Sequence, residues 1–248
     1  VIRAAAENLT PVVAELGGKS GNIIFDDADL DRAAMLSAHQ GPLMQSGQSC
    51  ACASRLLVHA SVYDTFVEKF LAVLDSAPAG DPFDPLVRFG PVISESALTR
   101  ILDTVDLAVS AGAGELLTGG KRMGGPLAQG FYIEPTVFAD VDNASPLVQT
   151  ETFGPVVSIS RFTDDDQAVR TANDTRYGLN AFVHTRDLRR AHRVSRALES
   201  GSVWINSTSR ISPQGPYGGY KQSGFGRTGG WEGLLEFLQT KTIRIGLD

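Results

Sequence analysis

The chain has 248 residues, 42% of them hydrophobic and 20% charged, the balance of a folded protein large enough for one sizeable core or two smaller ones. Its net charge of −6, with no basic block, argues against nucleic acid as the main partner. No run nears the roughly 20 apolar residues of a membrane span. Cys50 and Cys52 are the only cysteines and lie too close in sequence to bridge each other well. No charged-then-apolar leader stands at Val1, so the chain reads as cytoplasmic.

Residues 1–10 read as a helix tail, with Ile2, Ala5, Ala6 and Leu9 at helical spacing and Pro11 ending it. Extended runs follow at 11–16, stopped by Gly17-Gly18, and at 22–25. Asp26, Asp27 and Asp29 offer cap oxygens for a helix from about Leu30 that breaks at Gly41-Pro42. A strand at 56–58 precedes a helix over 62–74, where Val62, Phe66, Phe70 and Leu74 recur every fourth residue. Residues 78–93 are Pro-, Gly- and Asp-rich loop, and 94–111 is again helix. Glycines from 112 to 130 mark a turn-rich segment with short strands near 116–117 and 132–133. Beyond Pro155, strands at 156–159, 181–184 and 203–205 alternate with helices at 165–172 and 188–198. Alternation at this spacing predicts parallel βαβ units, so the fold class is α/β with a parallel sheet.

Four stretches carry candidate chemistry. Cys50 follows the glycine turn at Gly47 and precedes the apolar run Leu56-Leu57-Val58, the placement of an approachable thiol at a sheet edge. Small core cysteines are the bland alternative, and Cys52 is read as packing. A Cys-x-Cys metal pair lacks further cysteines, and the four histidines are scattered, so no metal site is expected. Glu15 stands before Gly17-Gly18-Lys19, where the glycines let backbone pass close to a ligand; a buried carboxylate there would suit a general base. Glu151-Thr152-Phe153-Gly154-Pro155 pairs a carboxylate, a good bidentate acceptor for a sugar diol, with a turn. Residues 215–227 form a glycine-rich loop containing Tyr217 and Lys221, without the strand-loop-helix order of a phosphate cradle.

Taken together, Glu15-Leu16-Gly17-Gly18-Lys19, the Cys50 stretch, Glu151-x-Phe153-Gly154-Pro155 and the loop from Pro216 to Gly224 resemble the signatures of the NAD(P)-dependent aldehyde dehydrogenase superfamily. The resemblance runs over essentially the whole chain and about the second half of a typical member. It implies oxidation of a small-molecule aldehyde to a carboxylic acid. Cys50 would be the nucleophile, forming a thiohemiacetal and then a thioester, and Glu15 the base for deacylation. Glu151, Phe153, Leu16 and Gly17 would bind NAD or NADP at a site incomplete in this chain. Met44, Ser49, Arg210 and Tyr217 would line the substrate pocket, with Tyr217 adding a hydroxyl where the family signature has phenylalanine. By the same resemblance, 1–16 ends the cofactor-binding domain, 17–217 is the catalytic domain, 218–239 returns to the cofactor domain, and 240–248 is an oligomerisation strand. The whole protein would be a homodimer or homotetramer, with most of the Rossmann-like cofactor domain outside this chain and the chain alone inactive. Two other readings stay open: a cofactor-free thiol esterase using Cys50 and Glu15, and a non-catalytic binding or assembly module.

Overall fold

A computed structural model describes residues 1–247. In chain order it contains α1 (Ile2–Ala6), β1 (Ala14–Glu15), β2 (Gly21–Ile24), α2 (Leu30–Ala38), β3 (Arg55–His59), α3 (Tyr63–Asp75), α4 (Glu95–Ser110), β4 (Glu115–Thr118), β5 (Thr136–Ala139), α5 (Pro146–Gln149), β6 (Val156–Phe162), α6 (Asp165–Asn173), β7 (Asn180–His184), α7 (Leu188–Ala197), β8 (Ser202–Ile205), β9 (Gly224–Phe225) and α8 (Gly230–Leu235). Seven strands form one sheet in the order β4-β5-β6-β3-β2-β7-β8. All neighbours are parallel except β4, which runs antiparallel to β5. This is the α/β parallel-sheet fold expected from the alternation.

The central strands β2, β3, β6 and β7 are largely buried on both sides, as a sheet covered by helices requires. One face packs Ile24, Leu56 and Val58 against Ala34 and Ala38 of α2 and Phe66 and Phe70 of α3. The other packs Ile23, Leu57 and Val183 against Ala168 and Ala172 of α6 and Val194 of α7. A third cluster joins Ile101 and Val105 of α4 to Phe138 of β5. Side chains of Asp29, Ser94, Asp164 and Asp187 cap α2, α4, α6 and α7, supplying donors at helix starts with the acceptors they lack.

Several expectations are corrected. Only Ile2–Ala6 of the first ten residues is helical, because no residue of this helix is buried and an isolated turn has little to hold it. The strand expected near 132–133 is a single bridge between Arg122 and Ile133; the strand of this region is β5, whose four residues are all buried. α2 itself ends at Ala38 and passes into a wide turn over His39–Leu43 whose backbone leaves helical geometry at Gly41, the break expected at Gly41-Pro42. Residues 240–247, expected to pair with another subunit, are exposed, and position 248 lies outside the described residues. Among the described residues, no helix is long and apolar enough to cross a membrane.

Candidate active site

The site stretches meet at the amino ends of the parallel strands. Gly17 and Gly18 precede β2, Cys50 precedes β3, Glu151 and Phe153 precede β6, and Asn180 opens β7. Adjacent parallel strands therefore bring together residues far apart in sequence.

The segment before Cys50 is tightly shaped. Gln45, Ser46 and Gly47 all adopt left-handed backbone, a conformation costly for residues with a Cβ unless the surroundings hold it. Those supports are present: Ser46 Oγ donates to Gly90 O at 2.6 Å, and Gln48 Nε2 donates to Gln45 O at 3.0 Å. Buried Gln40 ties the loop from both sides, donating to Ala51 O at 3.3 Å and accepting from Ser209 N at 3.0 Å. On the far side, fully buried Arg55 donates to Lys19 O, Asn143 Oδ1, Thr171 O and Ala172 O at 2.6–3.1 Å. A guanidinium at the carboxyl end of α6 meets carbonyls in need of donors.

Glycines at 17 and 18 make the close approach possible. A Cβ on Gly18 would lie 2.6 Å from Cys50 O, and one on Gly17 would lie 1.9 Å from Glu151 Oε2. The backbone of 17–18 is thus sandwiched between the cysteine loop and the Glu151 carboxylate. Gly18 N donates to Glu151 Oε1 at 3.0 Å, so Oε2 is the freer acceptor, rather than the two equivalent oxygens a bidentate contact would use.

Cys50 is half-buried, and both cysteines are free thiols. Burial pushes the Cys50 thiol up; the Tyr217 hydroxyl and the Ala51 amide pull it down, while Glu151 and Glu15 push it further up. A Cβ on Gly218 would lie 2.8 Å from Glu15 Oε1, so Glu15 borders the loop that carries Tyr217, as Glu151 borders the Cys50 loop across Gly17 and Gly18. Glu15 as a residue is exposed, yet partial burial of its carboxyl raises it against the opposing pull of Arg227; burial raises Glu151, offset by Gly18 N–H, Lys19 and Arg100. Cys52 is buried, donates to Gly41 O at 3.3 Å, and is pushed up to about 12, consistent with packing. Burial brings Lys19 down to about 8.

Among the remaining expected residues, Leu16 and Phe153 are both exposed, Phe153 with left-handed backbone. Leu16 N donates to Ser223 O at 3.1 Å. Met44 and Ser49 are half-buried on the cysteine loop. Arg210 is exposed and lines a groove of about 590 Å³ with His39, Leu43 and Arg88. Among the described residues, no cluster of three or more His, Cys, Asp or Glu could hold a metal ion. Sequence reasoning passed over Asn180, Arg55 and Gln40. Asn180 and Arg55 each open a strand that is apolar up to its closing histidine, and a polar residue there is the signal that could have found them.

A sequence profile of the aldehyde dehydrogenase family matches residues 1–243. The chain belongs to that family. It is 44% identical over its full length to an aldehyde dehydrogenase of Emericella nidulans, covering 49% of that protein. Over 98% of its length it is 42% identical to human retinal dehydrogenase 2, covering 46% of it. Its fold matches the crystal structure of Staphylococcus aureus betaine aldehyde dehydrogenase in complex with NAD+ with a TM-score of 0.94 at 40% identity, covering 97% of this chain and 47% of that one. The chain thus spans about half the length of the relatives it matches.

Proposed function

We propose that this chain supplies the acyl-transfer half of an NAD(P)-dependent aldehyde dehydrogenase, with Cys50 as nucleophile and Glu15 as the base that activates water. The observation that carries the reading is the packing of the Gly17–Gly18 backbone between the half-buried Cys50 loop and the Glu151 carboxylate, with Glu15 Oε1 against Gly218 in the loop that carries Tyr217. A thiolate at Cys50 adds to an aldehyde carbon, leaving the sulfur bonded to that carbon in a thiohemiacetal; a bound nicotinamide would accept the hydride, giving a thioester on Cys50. The donor set suits such a group: Glu151 Oε2 is an acceptor for a sugar hydroxyl, and the exposed Leu16 and Phe153 are apolar surface beside it. Glu15, raised by burial, then takes a proton from the water that attacks the thioester, releasing the acid and restoring the thiol. Its base form appears as pH rises past its elevated pKa, so deacylation accelerates with pH above the usual carboxylate range.

Met44, Ser49 and Tyr217 lie on the approach to the sulfur and shape the aldehyde's pocket. Arg210 and its groove would meet only a long substrate. Residues 240–247 carry Ile243, Ile245 and Leu247 exposed at alternate positions, the pattern of a strand that pairs with another chain; they support a homodimer or homotetramer of the whole protein. The domain limits at residues 17, 218 and 240 are kept as part of this proposal.

Two assays on the 248-residue chain test the reading. With 4-nitrophenyl acetate, intact mass should show one acetyl group on Cys50, and that adduct should be absent from Cys50→Ala. With an aldehyde and NAD or NADP, the chain alone should form no reduced nucleotide. Acetylation unchanged in Cys50→Ala would remove the nucleophile assignment, and Cys50-dependent nucleotide reduction would show that the chain is active alone. Sustained ester turnover would favour the esterase reading, which needs only Cys50 and Glu15.

A further inference from the structure

The strands β2 and β7 pair from Gly21 and Ala181 onward, and the residue directly before each is polar: Ser20 and Asn180. Both are deeply buried, at 3% and 2% exposure. Asn180 Nδ2 donates to Tyr217 Oη at 3.1 Å, but its Oδ1 has no hydrogen-bond partner among the described residues, and neither has Ser20 Oγ. Buried polar atoms nearly always find a partner, because leaving water without one is costly. Two such atoms side by side therefore need an explanation.

Both residues line the same small cavity, of about 10 Å³, which is the lower end of the room that one water molecule needs. Adjacent strands lie about 4.8 Å apart. That spacing is too wide for a direct bond between neighbouring side-chain oxygens, and it is of the order spanned by two hydrogen bonds of about 2.8 Å that meet at one water oxygen.

The lining also selects what can sit there. Asn180 Oδ1 only accepts, so the occupant must donate, whereas Ser20 Oγ can do either. Lys19 and Arg55, both buried, line the same cavity and set positive charge against a cation. The amide oxygen sets its lone pairs against an anion. What fits is a small neutral molecule that donates and accepts. Thr175 and Ser200, half-buried residues of the same lining, carry hydroxyls for the third bond that a buried water commonly makes.

We propose that this cavity binds a single water molecule that donates to Asn180 Oδ1 and hydrogen-bonds Ser20 Oγ, bridging β2 and β7 at the amino edge of the sheet. With its oxygen end held by the water, the Asn180 amide keeps its NH₂ end on Tyr217 Oη. The water thus fixes the tyrosine hydroxyl from behind. This bridge is independent of the role proposed for Cys50.

The test is a high-resolution crystal structure of the 248-residue chain. Density within about 2.7–3.2 Å of both Ser20 Oγ and Asn180 Oδ1 is the expected result. A cavity with no density overturns the proposal. So does a peak ringed by oxygens at about 2.3–2.6 Å, which would identify a cation. Urea unfolding of Ser20→Ala is the second measurement. Deleting a hydroxyl that bonds a water lowers the midpoint, whereas deleting one that is buried unpaired leaves it unchanged or raises it. A midpoint at or above wild type therefore overturns the bridge, which needs Ser20 as one of its ends. Ser20 is the position to change, since a substitution at Asn180 would also cut the bond to Tyr217. If Ser20→Ala fails to fold, the wild-type density decides.

Discussion

The two sheets of this protein differ in almost everything that stability depends on, yet each supplies a part of the same site. The seven-stranded sheet buries its central strands under helices on both faces and sets the positions of Gly18, Cys50, Glu151 and Asn180 at its amino edge. The second sheet is two residues on two, Ala14 opposite Phe225 and Glu15 opposite Gly224, with Glu15 and Phe225 exposed. Glu15 is held by that ribbon. A cysteine loop locked to a deep core and a carboxylate carried on a ribbon respond differently to damage: the first fails by unfolding, the second by local displacement.

The largest effect should come from the sheet. Phe162 of β6 is 1% exposed and meets Phe25 edge-on at 5.3 Å and His59 at 5.4 Å between ring centres. Phe162→Ala removes a ring from a packed interior and should cost about 3–5 kcal/mol, read as a lower urea midpoint at unchanged slope. A loss below about 1 kcal/mol would mean that the sheet interior is less tightly coupled than its burial implies.

Next comes a pH effect in the same layer. Burial, with Arg32 adding to it, holds the imidazole of His184 down to about 4. The unfolded chain takes up that proton near its ordinary value of about 6.5, so stability is lost as pH falls from about 6.5 towards 4 and no further below it. A shift of that size corresponds to about 3 kcal/mol. The carboxyls of Glu15 and Glu151, raised in the fold, act in the opposite direction, gaining stability as pH falls. The clean readout is therefore a difference: His184→Leu should lose about 3 kcal/mol less than wild type between pH 7 and pH 4. Equal losses would show that His184 titrates normally.

What could be read from the sequence divides along the same line. Spacing by four in Val62, Phe66, Phe70 and Leu74, and apolar runs such as Leu56-Leu57-Val58, report burial directly, so the helices and the inner strands were legible. Cys50, Glu15 and Glu151 were legible only as family signatures, since nothing in their spacing states that three strand ends converge. β5 was missed because its four buried residues follow a turn-rich segment, and a short run with no amphipathic period gives no signal. The surroundings of Arg210 were not legible because they depend on how its loop docks on Gln40 through Ser209 N, a long-range contact. Asn180 signalled itself only as a polar residue opening a strand, because its partner Tyr217 lies 37 residues further along the chain.

The smallest expected change in stability is the most informative about the ribbon. Gly224 has φ of +125°, and a Cβ there would lie 1.8 Å from Ala14 O, so Gly224→Ala cannot keep the β1–β9 pairing as it stands. The backbone strain alone is about 1–3 kcal/mol. The ribbon can open without disturbing the seven-stranded sheet, so the global loss is capped by the ribbon's own stability and should stay below about 1 kcal/mol. Glu15, however, would lose the partner that sets its position. The variant should therefore take up acetate on Cys50 at close to the wild-type rate and release it at least about tenfold more slowly, the scale of losing a positioned general base. Slow acylation together with slow deacylation would show that the ribbon also holds the nucleophile loop; wild-type rates for both would show that Glu15 reaches the site without it.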